Sequence, residues 1–433
     1  MTDGGRAPPI EMESFKSVFI ALTIAGALIV GAFFIQAQRP AVETEQSSPD
    51  LVAATGRCAS CHRRATPAIV AEYEKSAHVK EGTNCLDCHQ PQDGQEAFHH
   101  RGFTLAKTLT AKNCSQCHAE ENRQFLRSRH AAPAWAAVNG PEDFTKEQIQ
   151  FAEQFHEGAV DRPANRLAQL EGDAAREVGC EGCHSIGKPN DDGSIGSCTQ
   201  CHGRHEASVE LARQPRTCGQ CHMGPDHAQL EIFQESKHGV LFSTNKDEYN
   251  MDADPKELTV ADMPSPTCST CHMSGQGGLA VTHNVSNRLS WYLFAPVSEK
   301  RPGYEENQAA MKRVCNNCHT SGHTDEYFKD AERVVRATNR KVRTFMSIVD
   351  TLRAEGHLTD AAFDEPLEFD IFDYWHYYGR TAKHGAFMGG ADYVQWHGNY
   401  ELLSRLVEMR HKAQDILNDD GRTHGGSPDA GTK

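Results

Sequence analysis

The sequence has few aromatic residues, fewer basic than acidic residues, and almost no strand pattern. Aromatic side chains make up 8% of the 433 residues and hydrophobic side chains 38%, which is little apolar surface for the core of a chain this long. The acidic excess gives a formal net charge of -15, which argues against nucleic acid as a partner. Because alternating polar and apolar residues are nearly absent, the fold class is predicted to be mainly α with many loops.

Unpaired cysteines are also absent from the sequence. All sixteen cysteines fall in C-x-x-C-H pentapeptides. Zinc sites and disulfide scaffolds also use paired cysteines, but neither requires a histidine directly after the second cysteine. C-x-x-C-H is the attachment sequence of c-type haem, in which the thiols form thioethers and the histidine is the proximal iron ligand. We therefore predict eight c-type haems, which supply the missing apolar bulk and without which no stable fold is expected.

The eight motifs define the predicted attachment residues and proximal ligands. The cysteine pairs are Cys58 and Cys61, Cys85 and Cys88, Cys114 and Cys117, Cys180 and Cys183, Cys198 and Cys201, Cys218 and Cys221, Cys268 and Cys271, and Cys315 and Cys318. The proximal histidines are His62, His89, His118, His184, His202, His222, His272 and His319. Their irregular spacing excludes a fixed-period repeat. The fourth, fifth and sixth motifs are closest together, and there we expect the chemistry.

An apolar run, SVFIALTIAGALIVGAFFI, covers residues 17–35. It is long enough to span a bilayer and longer than the usual core of a signal peptide, so a retained transmembrane anchor is favoured over a cleaved signal. Both alternatives place the following chain on the periplasmic side of a bacterial inner membrane, where c-type haem is attached. Residues 1–16 are then a cytoplasmic segment, and residues 36–50 form a polar tether.

Three regions are predicted beyond the tether: an octahaem domain at 51–325, a C-terminal helical region at 326–417 and a disordered tail at 418–433. The helical region begins with a heptad seam formed by Val335, Thr338, Val342, Phe345, Val349 and Leu352. This seam can pair with another helix of the same chain or with a neighbouring subunit. A second helical stretch runs from Phe372 to Leu417 and is interrupted near Gly389 and Gly390.

Sixteen further histidines are candidates for the second axial ligand of the haem irons. Electron-transfer haems are usually ligated on both faces, whereas a catalytic haem keeps one face open. Three of them, His78, His130 and His238, end a Ser-x-His pattern and are predicted as distal ligands. The other predicted ligands are His205, His283, His100, which the sequence does not separate from His99, and His376, which competes with His397.

Four features resemble one known family, and they occur in its order. They are the eight motifs, CHMGPDHAQLEIFQESKHG, VTHNVSNRLSWYLFAPVS and GGADYVQWHGNYEL. Together they resemble the octahaem hydroxylamine oxidoreductase family, which also contains hydrazine dehydrogenases and nitrite-reducing members. The similarity runs from Leu51 to Glu408. It implies a multihaem cytochrome c fold, with short helices and loops wrapped around the haems, and a homotrimer.

The resemblance also implies a catalytic site at the fourth haem. In that family this haem, here carried by Cys180, Cys183 and His184, has an open distal face, and an Asp-His pair, here Asp226 and His227, lies over it. A histidine at that place is alternatively a distal ligand. The resemblance offers Tyr292 as a third pocket residue.

In oxidising members of the family, a C-terminal tyrosine of a neighbouring subunit is covalently bonded to the catalytic haem. Tyr393 is the best match to that tyrosine, with Tyr374, Tyr377 and Tyr378 as alternatives. In family terms the cross-link goes with oxidation, and its absence goes with reduction of nitrite.

The expected function is oxidation of hydroxylamine to nitric oxide or nitrite at the open haem. Electrons then leave through seven bis-histidine haems to a c-type cytochrome or a quinone-linked membrane partner. Either His227 or Asp226 can take the substrate proton, and the pocket residues do not separate hydroxylamine from hydrazine. Two alternatives remain: nitrite or hydroxylamine reduction on the same scaffold, and an electron conduit between the quinone pool and a soluble cytochrome. C-x-x-C-K, the motif of pentahaem and related reductases, does not occur in the sequence.

Overall fold

The computed structural model describes the backbone of residues 49–423 and the side chains of residues 56–418. Contacts divide the chain into two units, Met1–Ala53 and Ala54–Lys433, and all eight motifs lie in the second. The predicted span at 17–35 lies outside the described residues. Within residues 49–423, no helix is long and apolar enough to cross a membrane.

The haem-bearing part consists of short helices joined by loops, which confirms the predicted mainly α fold. Its α-helices are α1 Pro49–Ala65, α2 Pro67–Lys75, α3 Ala77–Lys80, α4 Cys85–His89, α5 Ala111–Ser115, α6 Ala119–Leu126, α7 Ala132–Asn139, α8 Lys146–Glu153, α9 Arg166–Glu171, α10 Asp173–Ala175, α11 Glu181–His184, α12 Thr199–His202, α13 Val209–Arg213, α14 Pro215–Gly219, α15 Gln229–Glu235, α16 Lys237–Thr244 and α17 Cys268–His272. Short 3₁₀ turns occupy Ser185–Gly187, Lys246–Glu248 and Gln276–Gly278, and a π-helical turn occupies Arg176–Cys180. Strands β1 Ala97–His100 and β2 Phe103–Ala106 form one antiparallel hairpin.

Several motifs coincide with one capped helical turn. Asn84 is the N-cap of helix α4. Its side chain accepts a hydrogen bond from the Leu86 backbone N–H, and the Asp87 side chain accepts one from the Asn84 backbone N–H. Thr267 and Thr270 cap α17 in the same reciprocal way. On a helix, residues three and four positions apart lie on one face, so each turn presents two thiols and one imidazole on the same side, as attachment of one porphyrin requires.

Six α-helices follow from Tyr304 onward among the described residues. They are α18 Tyr304–Cys315, α19 Ser321–Ala354, α20 Pro366–Asp373, α21 Arg380–Met388, α22 Ala391–Val394 and α23 Glu401–Thr423, with π-helical segments at Tyr374–Gly379 and Gln395–Tyr400. The longest of them are α19 and α23. Helix α19 begins before the predicted start at 326, because the Thr320 side chain accepts a hydrogen bond from the His323 backbone. Helix α23 extends past the predicted end at 417.

The heptad seam is buried inside the chain. Val342, Phe345, Val349 and Leu352 share one apolar cluster with residues of α20 to α23, among them Leu402. The Phe345 ring lies 4.1 Å from the Tyr374 ring, and the Tyr374 hydroxyl donates to the Leu402 carbonyl at 2.7 Å. The seam therefore pairs with helices of the same chain, which decides between the two alternatives left by the sequence.

Two glycines bring the C-terminal helices against α15. Helix α21 ends at Gly389, whose φ of 77° is left-handed and suits glycine. A Cβ on Gly390 would lie 2.8 Å from Cγ2 of Ile232, so only glycine permits this approach. The approach places Tyr393 in a small apolar cluster with Ala228 and Ile232. Ala228 directly follows the Asp226–His227 pair in the sequence.

Candidate functional site

A continuous cavity of about 4000 Å³ runs through the haem-bearing part and is lined by residues from all eight motifs. It is roughly four times the upper end of ordinary small-molecule pockets. The sixteen thiols are free in the structure and many are partly exposed. Space of this size, bordered by thiols and imidazoles, has the chemistry needed for a set of covalently attached haems.

Six proximal histidines face a second histidine across this cavity. Two imidazoles bound to opposite faces of one metal ion have ring centroids roughly 6 Å apart, since each metal–nitrogen bond is about 2 Å long. The observed separations are 6.1 Å for His62 and His100, 6.1 Å for His118 and His78, 6.5 Å for His89 and His205, 5.8 Å for His222 and His130, 6.2 Å for His202 and His283, and 6.0 Å for His319 and His238. The residues present therefore fit six irons held on both faces.

His99 and His100, which the sequence does not distinguish, have different surroundings. His100 faces His62, whereas Nδ1 of His99 is 3.0 Å from the hydroxyl of Thr104 on the opposite strand. Alternate residues of a strand point to opposite faces, so the hairpin turns only one of the two toward the motif.

Two proximal histidines, His184 and His272, have no such histidine partner among the described residues. Nδ1 of His184 is 2.6 Å from the Ala134 carbonyl, a contact that fixes the orientation of a ligating imidazole. Burial, followed by the charge of Arg288, lowers the pKa of His272 to about 4. The haem predicted to be open is thus one of two whose proximal histidine lacks a facing imidazole.

Thiols of different motifs lie close enough to shift each other's pKa, and these contacts give the spatial order of the motifs. The pairs are Cys58 and Cys85, Cys88 and Cys114, Cys114 and Cys198, Cys201 and Cys218, Cys218 and Cys268, Cys271 and Cys315, and Cys183 and Cys221. They connect the motifs in the order first, second, third, fifth, sixth, seventh, eighth, with the fourth joined to the sixth. The Asp-His pair stands beside the sixth motif, since the His227 ring lies 5.8 Å from the His222 ring, and Cys221 of that motif neighbours Cys183 of the fourth.

Asp226 is held by three cationic or polar side chains. Its Oδ2 lies 3.0 Å from Nε2 of His227, and its Oδ1 lies 2.9 Å from Nε2 of His376 and 2.8 Å from Nη1 of Arg380. Burial alone raises the pKa of Asp226, but the hydrogen bond from His376 and the charges of His227, His376 and Arg380 outweigh burial and lower this pKa to about 2. Asp226 is therefore a carboxylate at neutral pH and a poor proton acceptor.

His227 is the residue of the pair that faces the cavity. Its Nδ1 is buried and has no hydrogen-bond partner, while Phe294 meets its ring edge-on at 4.9 Å. Burial lowers the pKa of His227 even though Asp226 opposes that shift. A neutral ring whose Nε2 hydrogen points at Asp226 leaves Nδ1 with a lone pair that has no hydrogen-bond partner among the described residues.

Helix α21 contributes three residues that the sequence analysis missed. Arg380 donates from Nε to the Phe294 carbonyl at 3.0 Å, and Lys383 donates to the Ala295 carbonyl at 2.7 Å. The His384 ring lies 4.8 Å from the Phe294 ring. Arg380, Lys383 and His384 stand at positions i, i+3 and i+4, so they share one helix face. The sequence signal that could have identified them is a group of three basic residues on one face of a helix in an acidic chain.

Comparisons with known proteins agree with these features. Residues 80–366 match a family model described as seven times multi-haem cytochrome CxxCH. The chain belongs to this multihaem cytochrome family. Residues 12–143 also match the N-terminal region of the NapC/NirT cytochrome c family.

Individual relatives of this multihaem cytochrome support the resemblance to hydroxylamine oxidoreductase-like proteins. It is 25% identical over 357 residues to a probable nitrite reductase-hydroxylamine oxidoreductase fusion protein of Kuenenia stuttgartiensis, with 69% of this chain and 38% of that relative covered. A structure titled hypothetical multiheme protein has a TM-score of 0.72 at 22% identity, covering 88% of this chain and 97% of the other. A reducing HAO-like protein complex of Kuenenia stuttgartiensis has a TM-score of 0.66 at 21% identity, covering 88% and 89%. Both structures share the fold of this chain.

His376, which the sequence predicts to be a haem ligand, contacts a carboxylate instead. Its Nε2, the atom that would bind iron, is 2.9 Å from Asp226, and its ring stacks on Phe372 at 4.2 Å. The competing candidate, His397, pairs with Asp392 at 3.2 Å. His376 and His397 thus each pair with a carboxylate, because both rings stand on helical segments that carry or meet an aspartate.

The predicted pocket tyrosine, Tyr292, lines the same cavity as His227, but no contact joins it to the Asp-His pair among the described residues. Its ring contacts the guanidinium groups of Arg129 at 5.5 Å and Arg301 at 5.0 Å. Phe294, two residues later, is the aromatic residue against His227. The SWYLFAP segment does approach the site, but through a different residue from the one predicted.

The tyrosine predicted to reach a neighbouring haem is buried in its own chain. Tyr393 is 9% exposed and stacks on His397 at 4.8 Å. Of the alternatives, Tyr374 is fully buried and the Tyr378 hydroxyl contacts Arg405. Tyr400, which was not among the candidates, is 50% exposed. Burial of Tyr393 conflicts with its predicted role, because it could extend into another subunit only by leaving its cluster.

Proposed function

We propose that this multihaem cytochrome carries eight c-type haems and reduces a small nitrogen oxide substrate, nitrite or hydroxylamine, at the haem of the fourth motif. Six facing histidine pairs support bis-histidine ligation of six haems, which suits them to electron transfer. The absence of a facing histidine at His184, within the described residues, supports an open face at the fourth haem. His227, with its unpartnered Nδ1, is the candidate for proton transfer at that face.

The observation that favours reduction is the burial of Tyr393. In the family the chain resembles, oxidation depends on a tyrosine bonded to the catalytic haem. Tyr393, the best match, is packed between residues of its own chain and shielded from solvent. The name of the Kuenenia relative covers both a nitrite reductase and a hydroxylamine oxidoreductase, and this chain spans only 38% of that protein. One structural neighbour is named as a reducing complex.

The residues around His227 can carry out the proton steps. The haem that Cys180, Cys183 and His184 would hold would supply an iron able to bind a small nitrogen ligand and to exchange electrons. Asp226, held ionised by His376 and Arg380, orients His227 through its Nε2. His227, whose side chain lines the cavity, then holds or releases a proton at Nδ1, which has no other hydrogen-bond partner among the described residues. Phe294 covers the ring and limits access of water to this hydrogen bond.

Hydroxylamine oxidation is the second candidate, and two observations favour it. The pKa of His227 is lowered, so at neutral pH the ring is a base, and oxidation must remove protons from the substrate. Tyr400 is exposed on a C-terminal helical segment, where contact with another subunit could bring it to a haem. In that case Tyr400 would be the cross-linking residue.

Partners and location complete the proposal. The NapC/NirT match over residues 12–143 supports a membrane-associated cytochrome on the periplasmic side that exchanges electrons with a quinone-linked protein or a c-type cytochrome. A homotrimer is supported by an exposed apolar stripe formed by Trp396, Tyr400, Leu403 and Val407. The heptad seam no longer supports it, because the seam is covered within the chain.

One experiment separates the candidates. The purified haem-loaded protein is digested, peptides are analysed by mass spectrometry for a tyrosine joined to the CEGCH haem peptide, and the intact protein is assayed in both directions. We expect unmodified Tyr393 and Tyr400 peptides, with reduction of nitrite or hydroxylamine by an artificial electron donor. A tyrosine–haem peptide together with faster hydroxylamine oxidation would instead establish the second candidate. Loss of both activities, with no spectral change when nitrite or hydroxylamine is added, would identify an electron conduit.

A further inference from the structure

The guanidinium group of Arg380 is fixed in orientation, but its Nη2 group has no hydrogen-bond acceptor among the described residues. Nη1 donates to Asp226 at 2.8 Å and Nε donates to the Phe294 carbonyl at 3.0 Å. The rings of Phe294 and Trp375 lie 5.2 Å and 5.0 Å from its central carbon. Within residues 56–418 no acceptor is bonded to Nη2, and Arg380 lines the same cavity as His227. A rigid guanidinium with unused N–H groups beside a candidate proton donor is suited to bind a ligand oxygen.

The surroundings of Arg380 favour a negatively charged ligand. Lys383, one turn later, is fully buried and donates to the Ala295 carbonyl rather than to a carboxylate. Burial and the charge of Arg380 lower the pKa of Lys383 to about 7, so the lysine retains part of its positive charge near neutral pH. Asp226 therefore offsets Arg380 but not Lys383. A small anion at this place gains from the remaining positive potential, whereas a neutral ligand does not.

We infer that Arg380 is the anion-binding residue of the active site: its Nη2 group binds an oxygen of nitrite and gives the protein its preference for an oxyanion over neutral hydroxylamine. The inference rests on the proposed function for its ligand, because nitrite is the anion that the proposed reaction brings to this site. Nitrite resembles a carboxylate in being planar, with two equivalent oxygens and a single negative charge. Arginine binds such groups through a fixed planar fork, which lysine cannot reproduce.

The test compares two substrates in Arg380→Gln, Arg380→Lys and the haem-loaded wild type. Loss of a charge-assisted hydrogen bond should raise KM for nitrite about 10- to 100-fold in Arg380→Gln, while KM for hydroxylamine changes much less. Arg380→Lys should recover part of the nitrite affinity, because it restores the charge but not the fork. Arg405→Gln is the matched control, since Arg405 contacts Tyr378 and Glu401 on the C-terminal helices and should leave both KM values unchanged.

An equal rise of both KM values in Arg380→Gln would overturn the inference, because Arg380 would then act only by holding Asp226. Haem content and absorption spectra establish that each variant is assembled, and if Arg380→Gln does not assemble, Arg380→Lys supplies the substrate comparison. Titration of the oxidised protein with nitrite separates this inference from the proposed function. Wild type that binds nitrite more tightly than the Arg380 variants but does not reduce it would retain the anion site and reject the function. Wild type that does not bind nitrite would reject the anion site.

Discussion

Nε2 of His376 lies 2.9 Å from Oδ1 of Asp226, so the C-terminal helices contact the residue pair that follows the sixth haem motif. His376 is on the π-helical segment Tyr374–Gly379, one turn before Arg380, which bonds the same carboxylate oxygen. The C-terminal region thus sets the charge of the candidate active site in addition to covering the haem-bearing part.

This contact predicts that His376 is a positioning residue and not a haem ligand. His376→Gln should leave the number of low-spin bis-histidine haems unchanged, as counted by electron paramagnetic resonance. Turnover should fall about 10- to 100-fold, the usual effect of removing a residue that orients a functional group. His283→Gln is the control, because His283 faces His202 at 6.2 Å and its loss should convert one haem to a high-spin form. Loss of a low-spin haem in His376→Gln would show that His376 ligates iron after all.

Haem attachment could be predicted from the sequence because its chemistry is local. The distal histidines are harder, since each faces a motif far along the chain, yet three carry a local signature. The serine of each Ser-x-His accepts a backbone hydrogen bond from the segment that follows, from His78 at 3.2 Å, His130 at 3.1 Å and Gly239 at 3.1 Å. A serine that caps a turn fixes the direction of the histidine beside it, and each of these three histidines faces a motif histidine.

The contacts of the candidate site could not be predicted because they join distant segments. Arg380 bonds Asp226 and Phe294, and no local pattern in the sequence links α21 to either residue. The residue type of His376 predicts a haem ligand, but the carboxylate opposite it belongs to a distant segment. A motif match predicts the role of Tyr393, but its burial depends on the close approach that Gly390 permits. Tertiary packing decided each of these cases.

Lys383 should make the stability of the protein depend on pH above neutrality. Burial and Arg380 lower its pKa from 10.5 to about 7. Between these values the unfolded chain binds more protons than the folded one, so the free energy of unfolding rises with pH. From pH 7 to pH 9, wild type should therefore gain about 2 kcal/mol relative to Lys383→Met.

Thermal midpoints of wild type and Lys383→Met at the two pH values check this prediction. Lys146→Met is the matched control, because Lys146 is exposed and its replacement should leave the pH dependence unchanged. Parallel pH dependence in wild type and Lys383→Met would mean that the lysine keeps its ordinary pKa in the folded protein.

The buried heptad seam predicts a large cost for truncating its partner on α23. Leu402 is fully buried in the cluster with Phe345 and Val349. Leu402→Ala removes this apolar contact and leaves a cavity, which should lower the free energy of unfolding by about 2–5 kcal/mol. Leu170→Ala should change it by less than about 0.5 kcal/mol, since Leu170 is 47% exposed. Thermal unfolding of the two variants compares them directly, and equal midpoints would contradict the internal pairing of the seam.

The apolar stripe on the C-terminal helices predicts where copies of the chain associate. Trp396 is 57% exposed, Tyr400 50%, Leu403 57% and Val407 46%. Their spacings of four, three and four residues follow one helix face. The opposite face, which includes Leu402 and Leu406, is buried in the core, so α23 has an apolar surface on both sides. A solvent-facing row of large apolar side chains is typical of an interface with another protein.

Val407→Glu should therefore convert the proposed trimer to monomers, because it places a charge where the interface excludes water. Molecular mass in solution, measured by light scattering after size-exclusion chromatography, gives the result. Val260→Glu is the matched control, since Val260 is 43% exposed but lies outside the stripe, and its mass should equal that of wild type. If Val407→Glu keeps the wild-type mass, the stripe is not the interface. If it yields monomers that keep nitrite reduction, the catalytic site is complete within one chain. That outcome would also argue against the hypothesis of oxidation through a neighbour's tyrosine. Tyr400 lies in the same stripe, so separation of the subunits would remove it from the haem of another chain.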